Sequence, residues 1–195
     1  MTSSLLLLVL IWVIYFFLHS FLAATGVKAF FSSKIGLEGK TYRLMYNFIS
    51  GVGLLVALFF NSTIQSEFLI NPDGPARAFS LITAGTGVLI IRATFKSYDL
   101  GAFLGFREES DKDFKQNGML KYVRHPLYSG TILVLIGFWL FIPNVPTAVT
   151  VVCHFVYLAI GIRLEEHKLI SLFGEKYLRY KQEVPMLVPR IRLFN

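Results

Sequence analysis

Residues 126–162 read PLYSGTILVLIGFWLFIPNVPTAVTVVCHFVYLAIGI, 37 consecutive positions without a formally charged side chain. As one helix at 1.5 Å per residue this stretch would run about 55 Å, far beyond the ~30 Å hydrocarbon layer of a bilayer. Pro143-Asn144-Val145-Pro146 lies in its middle. Proline cannot continue a helix interior, because it lacks the N–H and its ring crowds the preceding turn. The stretch therefore predicts two short apolar helices, 127–142 and 147–162, folded into a tight antiparallel hairpin.

The rest of the chain has the same character. Of 195 residues, 54% are hydrophobic and 16% charged, against roughly 45–50% and about 25% in soluble proteins. Mean hydropathy is +0.59. These values exclude a soluble globular domain and a disordered chain, and a single cysteine, Cys153, excludes a disulfide scaffold. Three more uncharged stretches precede the hairpin, at 5–22, 44–66 and 78–91. The third is short and serves as a span if it continues to Phe95 while Arg92 snorkels. Residues 1–24 resemble a signal peptide in length, but no basic segment precedes them and Ala23-Ala24-Thr25 is a poor cleavage site. They are read as the first span.

The formal charge of +7 could mark a nucleic-acid binder, yet in so apolar a chain it marks one face of a membrane. Lys28, Lys34, Lys40 and Arg43 fall in the first connection, and Lys96 to Arg124 contribute six basic residues in the third. The tail from Arg163 contributes seven, and Arg77 alone is left for the opposite face. The expectation is an all-α integral membrane protein of five transmembrane helices, N-terminus outside and C-terminus cytoplasmic. It forms a single membrane domain over 1–195: three spans in 1–95, then a cytoplasmic loop, hairpin and amphipathic tail in 96–195. The bilayer is the expected partner and nucleic acid is not.

Chemistry is expected on the cytoplasmic side. Pro126 suits the first turn of a helix, which puts Arg124 and His125 just before its amino end. Free N–H groups there and the positive end of the helix dipole favour an anion. Where the fifth span leaves the membrane, Glu165 and Glu166 are costly to dehydrate unless a cationic group meets them. The hairpin brings the two corners together, and a zwitterion with a further positive centre would fit between them. In the third connection, Asp99 beside Tyr98 is a candidate for shaping the acceptor side. His19 and His154 lie within spans and are read as interhelical hydrogen-bonding groups, and Cys153 as packing. No ligand spacing supports a metal site.

Arg124-His125-Pro126-Leu127-Tyr128-Ser129-Gly130 follows the pattern RHPxYxG. From Arg163 the chain follows RxEExxLxxxFGxxYxxYxxxVP through Glu165, Glu166, Leu169, Phe173, Gly174, Tyr177, Tyr180, Val184 and Pro185. Together these resemble the signature of integral membrane methyltransferases that use S-adenosylmethionine, of the isoprenylcysteine carboxyl methyltransferase and phospholipid methyltransferase type. His19–Ala23, Tyr42–Asn47 and the stretch 95–107 are similar to the branch of methanethiol S-methyltransferase and NnrU-like proteins. The resemblance implies a cofactor pocket between the last two spans and the tail. Tyr122, Val123, His125, Tyr128, Gly130, Glu165 and Glu166 would line it. Arg163 and Glu166 would be the catalytic pair, and Tyr98, Asp99 and Tyr177 would contact a lipophilic or small methyl acceptor. Glu166 or His167 could take a proton from a thiol or amine through water. Two other classes share parts of the pattern. Sterol reductases using NADPH end in a similar hairpin, although they usually carry Glu where Thr131 follows Gly130, and a non-catalytic NnrU-like membrane partner would share the front half.

Overall fold

A computed structural model of the chain describes residues 1–96, 101, 106 and 114–190. Tyr98 and Asp99 lie outside the described residues. The described elements are α1 (Thr2–Ala23), α2 (Thr25–Ile35), α3 (Gly39–Thr63), α4 (Gly74–Thr94), a 3₁₀ turn (Gly118–Lys121), α5 (Pro126–Phe141), α6 (Val145–Phe173) and α7 (Glu175–Glu183). Among the described residues the only strand pairing is an isolated bridge between Phe68 and Asn144. Helices α1, α3, α4 and α6 are each long and apolar enough to cross a membrane, and α5 is a shorter apolar helix. The chain is an all-helical integral membrane protein.

Local chemistry sets the boundaries. Asp73 caps α4 by accepting from Ala76 N at 3.0 Å, and Pro75 occupies its first turn. Pro143 ends the α5 segment, and Asn144 Oδ1 accepts from Thr147 N at 3.0 Å at the start of α6. Two features depart from the sequence expectation. The connection after the first span folds into α2, which closes on Gly36 in the left-handed conformation at φ 63°. Helix α6 does not stop at its polar boundary but runs on to Phe173, where Gly174 at φ 51° breaks the chain. That continuation carries Glu165 and Glu166 rigidly out from the apolar part.

The chain divides into two compact units. In the one formed by 1–71 and 143–153, α1 and α3 pair around Leu8, Trp12, Ala57 and Ile64. Trp12 is fully buried, and its indole N–H donates to Thr150 Oγ1 at 2.9 Å. Thr150 donates in turn to Asn61 Oδ1 at 2.9 Å. Buried polar groups are costly unless paired, so this chain fixes the register of the three helices it joins.

The other unit, with described residues 72–96, 114–142 and 154–190, rests on the contact of α4 with α5. A Cβ on Gly87 would stand 2.5 Å from Gly130 O and 2.8 Å from Val134 N. One on Gly137 would stand 2.7 Å from Ala84 N and Ser80 O. Such close backbones are a membrane-helix solution, since between apolar helices in lipid the attraction comes mainly from contact. The obstructing atoms are backbone and cannot swing away. Gly87→Ala is therefore expected to lose about 1–3 kcal/mol, read by thermal unfolding in detergent. Gly51→Ala, with nothing within 4 Å of its Cβ, should be neutral. Equal melting of both variants would refute the close α4–α5 contact.

Candidate active site

Arg124 and His125 immediately precede α5, whose first residue is Pro126. Glu166 projects from α6 into the same space. Its Oε1 accepts from Arg124 Nε at 2.9 Å, Arg124 Nη2 at 2.8 Å and His125 Nε2 at 3.2 Å. Lys181 of α7 holds the other oxygen, Oε2, at 2.7 Å. Side chains of Arg124, His125 and Glu166 are nearly inaccessible, with Glu166 at 8% exposure. Dehydrating ions costs several kcal/mol each, and only a saturated set of partners offsets it. Burial by itself pushes the Glu166 carboxyl up. Hydrogen bonds from Lys181, Arg124 and His125, with the Arg124 charge, outweigh burial and hold it at about 2 against an ordinary 4.5.

The residues after α7 form an extended strap across this corner. Arg124 Nη1 donates to Lys181 O at 3.0 Å and Val184 O at 2.6 Å. Arg124 N donates to Pro185 O at 2.9 Å and His125 N to Met186 O at 3.1 Å. Ser129 Oγ donates to Leu187 O at 2.7 Å. The expectation that Arg124 offers its guanidinium to an external anion is thus corrected: Glu166 and the strap carbonyls take it up. Extended backbone is what the sequence here favours, because a residue before proline avoids the helical region and Val184 precedes Pro185.

Glu165 differs from its neighbour. Its side chain is 43% exposed, and Oε2 stands 3.6 Å from His125 Nδ1. Since His125 donates from Nε2 to Glu166, its neutral form leaves Nδ1 as an acceptor, and protonation would give each carboxylate a donor. Tyr128 sets its ring edge-on to His125, centroids 5.5 Å apart at 88°. Gly161 on α6 makes room for it, because a Cβ there would sit 3.3 Å from Tyr128 Oη. Tyr177 is 1% exposed. Its hydroxyl lies by Glu166 without reaching hydrogen-bond geometry to any described residue. Burial, reinforced by the Glu166 charge, raises its ionisation above the ordinary range, so it stays a proton donor.

Of the residues singled out from sequence, Val123, His125, Tyr128, Glu165, Glu166 and Tyr177 fall in this unit around the Glu166 cluster. Val123 is buried and Tyr122 is 61% exposed. Gly130 faces α4, where a Cβ would strike Gly87 O at 2.7 Å. Its missing side chain therefore serves helix packing. Arg163 is exposed, and among the described residues its guanidinium makes no ion pair. Its carbonyl accepts from His167 Nδ1 at 2.9 Å, so neutral His167 keeps a free lone pair on Nε2. The sequence reading counted Lys181 and quoted Val184 and Pro185 without assigning any of 181 and 184–187 to the site. The available signal was the cation following Tyr180 and the prolines at 185 and 189. Phe173, Tyr177 and Tyr180 pack on Phe114, centroids 5.1–5.6 Å away. Tyr180 Oη also donates to Leu120 O at 2.7 Å.

A helical membrane protein with a buried ionic corner beside an apolar helix pair is the class that fold and site define. Comparison with known proteins narrows it. The model of the phospholipid methyltransferase family matches residues 76–176, just over half of the chain, and the chain belongs to that family. It is 36% identical to a methanethiol S-methyltransferase of Crocosphaera subtropica over 128 residues, 58% of this chain and 46% of that protein. It is 31% identical to methanethiol S-methyltransferase 1 of Bradyrhizobium diazoefficiens over 186 residues, 88% of this chain and 62% of that one. Protein-S-isoprenylcysteine O-methyltransferase B of Arabidopsis thaliana is 33% identical over 84 residues, 43% of each chain. The chain thus spans about half to three fifths of the length of the methanethiol S-methyltransferases named here.

Because the Glu166 carboxyl is depressed in the folded chain, its stabilisation is complete above 4.5 and is lost as pH falls toward about 2. Thermal unfolding in detergent should show stability declining through that window. Glu166→Gln should lose roughly 3–5 kcal/mol at neutral pH, since it leaves the buried Arg124 guanidinium without its counter-charge, and should flatten the acid limb. Superimposable acid profiles for wild type and variant would overturn this role.

Proposed function

We propose that the chain is a membrane-embedded methyltransferase that uses S-adenosylmethionine and delivers the methyl group to a lipophilic or small acceptor. The supporting observation is the unequal state of two adjacent carboxylates: Glu166 is saturated by Arg124, His125 and Lys181, while Glu165 is open beside them. Membership of the phospholipid methyltransferase family and relatives named for S- and O-methyl transfer support the same reading. Five spans are proposed, with α5 as the fourth and the C-terminus cytoplasmic, on the basis of where the lysines and arginines fall.

The donor set suits this ligand. Glu165 can accept from an ammonium or from ribose hydroxyls, the buried Tyr177 hydroxyl has a hydrogen bond left to give, and His125 can meet a carboxylate when protonated. Tyr122, Val123, Tyr128 and the backbone at Gly130 would form the walls. S-Adenosylmethionine supplies, when bound, an electrophilic methyl on a sulfonium. The protein's task is alignment, and orientation of two reactants is worth up to ~7–11 kcal/mol. Arg163, exposed and unpaired among the described residues, would orient the acceptor and Tyr177 would contact it, a task that the family resemblance also assigns to Tyr98 and Asp99. A carboxylate held near 2 takes no proton at neutral pH. Glu166 therefore acts by positioning Arg124, His125 and Lys181, and a thiol or amine acceptor would lose its proton to His167 Nε2 through water.

Purified chain in lipid nanodiscs should bind S-adenosylhomocysteine in calorimetry. Glu165→Gln should weaken binding about tenfold to a hundredfold, the worth of a charged hydrogen bond, without lowering thermal stability. Absence of binding by the wild type, or stabilisation by NADPH in its place, would sink the proposal.

A further inference from the structure

Helices α1 and α3 carry a second feature, outside the cofactor corner and independent of the reading above. Their facing surfaces form a ladder. Tyr42 Oη donates to Leu22 O at 2.7 Å. One turn deeper His19 bonds Tyr46 Oη through Nε2 at 2.8 Å and Ser50 Oγ through Nδ1 at 3.0 Å. Beyond that level the helices part around a cavity of about 200 Å³, lined among others by Ile11, Tyr15, His19, Ser50, Gly53 and Val56. That size exceeds the roughly 150 Å³ apolar cavity that holds a benzene-sized ligand. It is short of the ~300–1,000 Å³ of a drug-sized pocket.

The cavity is open on one side. Val56 is 56% exposed, and Ile14 and Leu18, which also line it, nearly half, and around a membrane helix pair that side is lipid. The cavity itself is almost wholly apolar, and the α3 face that continues from it toward the connection is graded in polarity. Arg43, Tyr46, Ser50, Gly53 and Val56 follow one another at three- and four-residue steps along one face of α3, from cation to hydroxyls to bare backbone to aliphatic. The cationic end belongs to the connection between the helices, where Lys28, Lys34, Lys40 and Arg43 outnumber the single acid Glu38. At Gly53 the Tyr15 ring packs directly on the α3 backbone, since a Cβ there would stand 2.9 Å from it, so a larger side chain must push that ring into the cavity.

We propose that this groove binds one anionic glycerophospholipid of the surrounding bilayer, headgroup phosphate toward Arg43 and the first part of an acyl chain past Gly53 to Val56 and Ile11. The ester region then lies at the depth of His19 and Ser50, the polar groups within the groove. Charge fixes the class of lipid: basic residues at a membrane surface attract anionic headgroups, and this connection carries four of them against one acid.

Native mass spectrometry of the detergent-purified full chain, given phosphatidylglycerol and phosphatidylcholine in equal amounts, tests the assignment. One phosphatidylglycerol should be retained, about fivefold over phosphatidylcholine, the preference one basic residue provides. Arg43→Gln should bring the two lipids level, and Gly53→Leu should abolish retention of both. Val56→Trp closes the groove from its open side and serves where Gly53→Leu fails to fold. Equal retention of both lipids by the wild type, no retention of either, or retention untouched in folded Val56→Trp would each overturn the proposal.

Discussion

Glu166 is the point on which one half of this protein is assembled. A single carboxylate, nearly removed from solvent, draws a cation from the chain before α5, a ring nitrogen from the residue that opens α5, and an ammonium from α7. Glu166 lies 41 and 42 residues from His125 and Arg124, so the pairing is made by the fold. Arg124 and Glu166 would each be expensive to bury alone, and they are buried together, while Lys181 reaches them from a partly exposed position. Arg124 extends the same logic to the backbone, spending its remaining donor on the carbonyls of Lys181 and Val184. The strap is thereby tied to the amino end of α5, with Pro185 O and Met186 O on the backbone N–H groups that start the helix.

Much of this was legible in the sequence, and the parts that were not have a common cause. Apolar runs and charges report the solvent around each segment, so the helices within 126–162 and their break at Pro143 and Pro146 came from composition alone. Asn144 as the cap of α6 and Gly174 as its end belong to the same kind of local signal. Glu165 and Glu166 stood out because carboxylates at an apolar boundary need partners. Which partners they have is tertiary information. Arg124 reads as a free donor at a helix start, and Lys181 reads as one more cation on a polar helix face. Only the path of the chain after Gly174, set by one left-handed glycine, brings Lys181 back onto Glu166. Gly130 illustrates the same limit in reverse. Its place in a motif suggests the ligand, whereas its position against Gly87 O gives a packing reason that no single sequence displays.

The two neighbouring carboxylates then follow different logics. Consecutive residues on a helix point about 100° apart, so where Glu166 faces the buried cations, Glu165 must face elsewhere, and it is half exposed beside His125. Environment, not residue type, separates their roles, as in sites where two carboxyls are held at different ionisation. Glu166 is fixed in its charged form and occupied on both oxygens, so it serves as an anchor. Glu165 has no such saturation and remains open to solvent. His125 stands between them, with its Nε2 committed to Glu166 and its Nδ1 turned to Glu165.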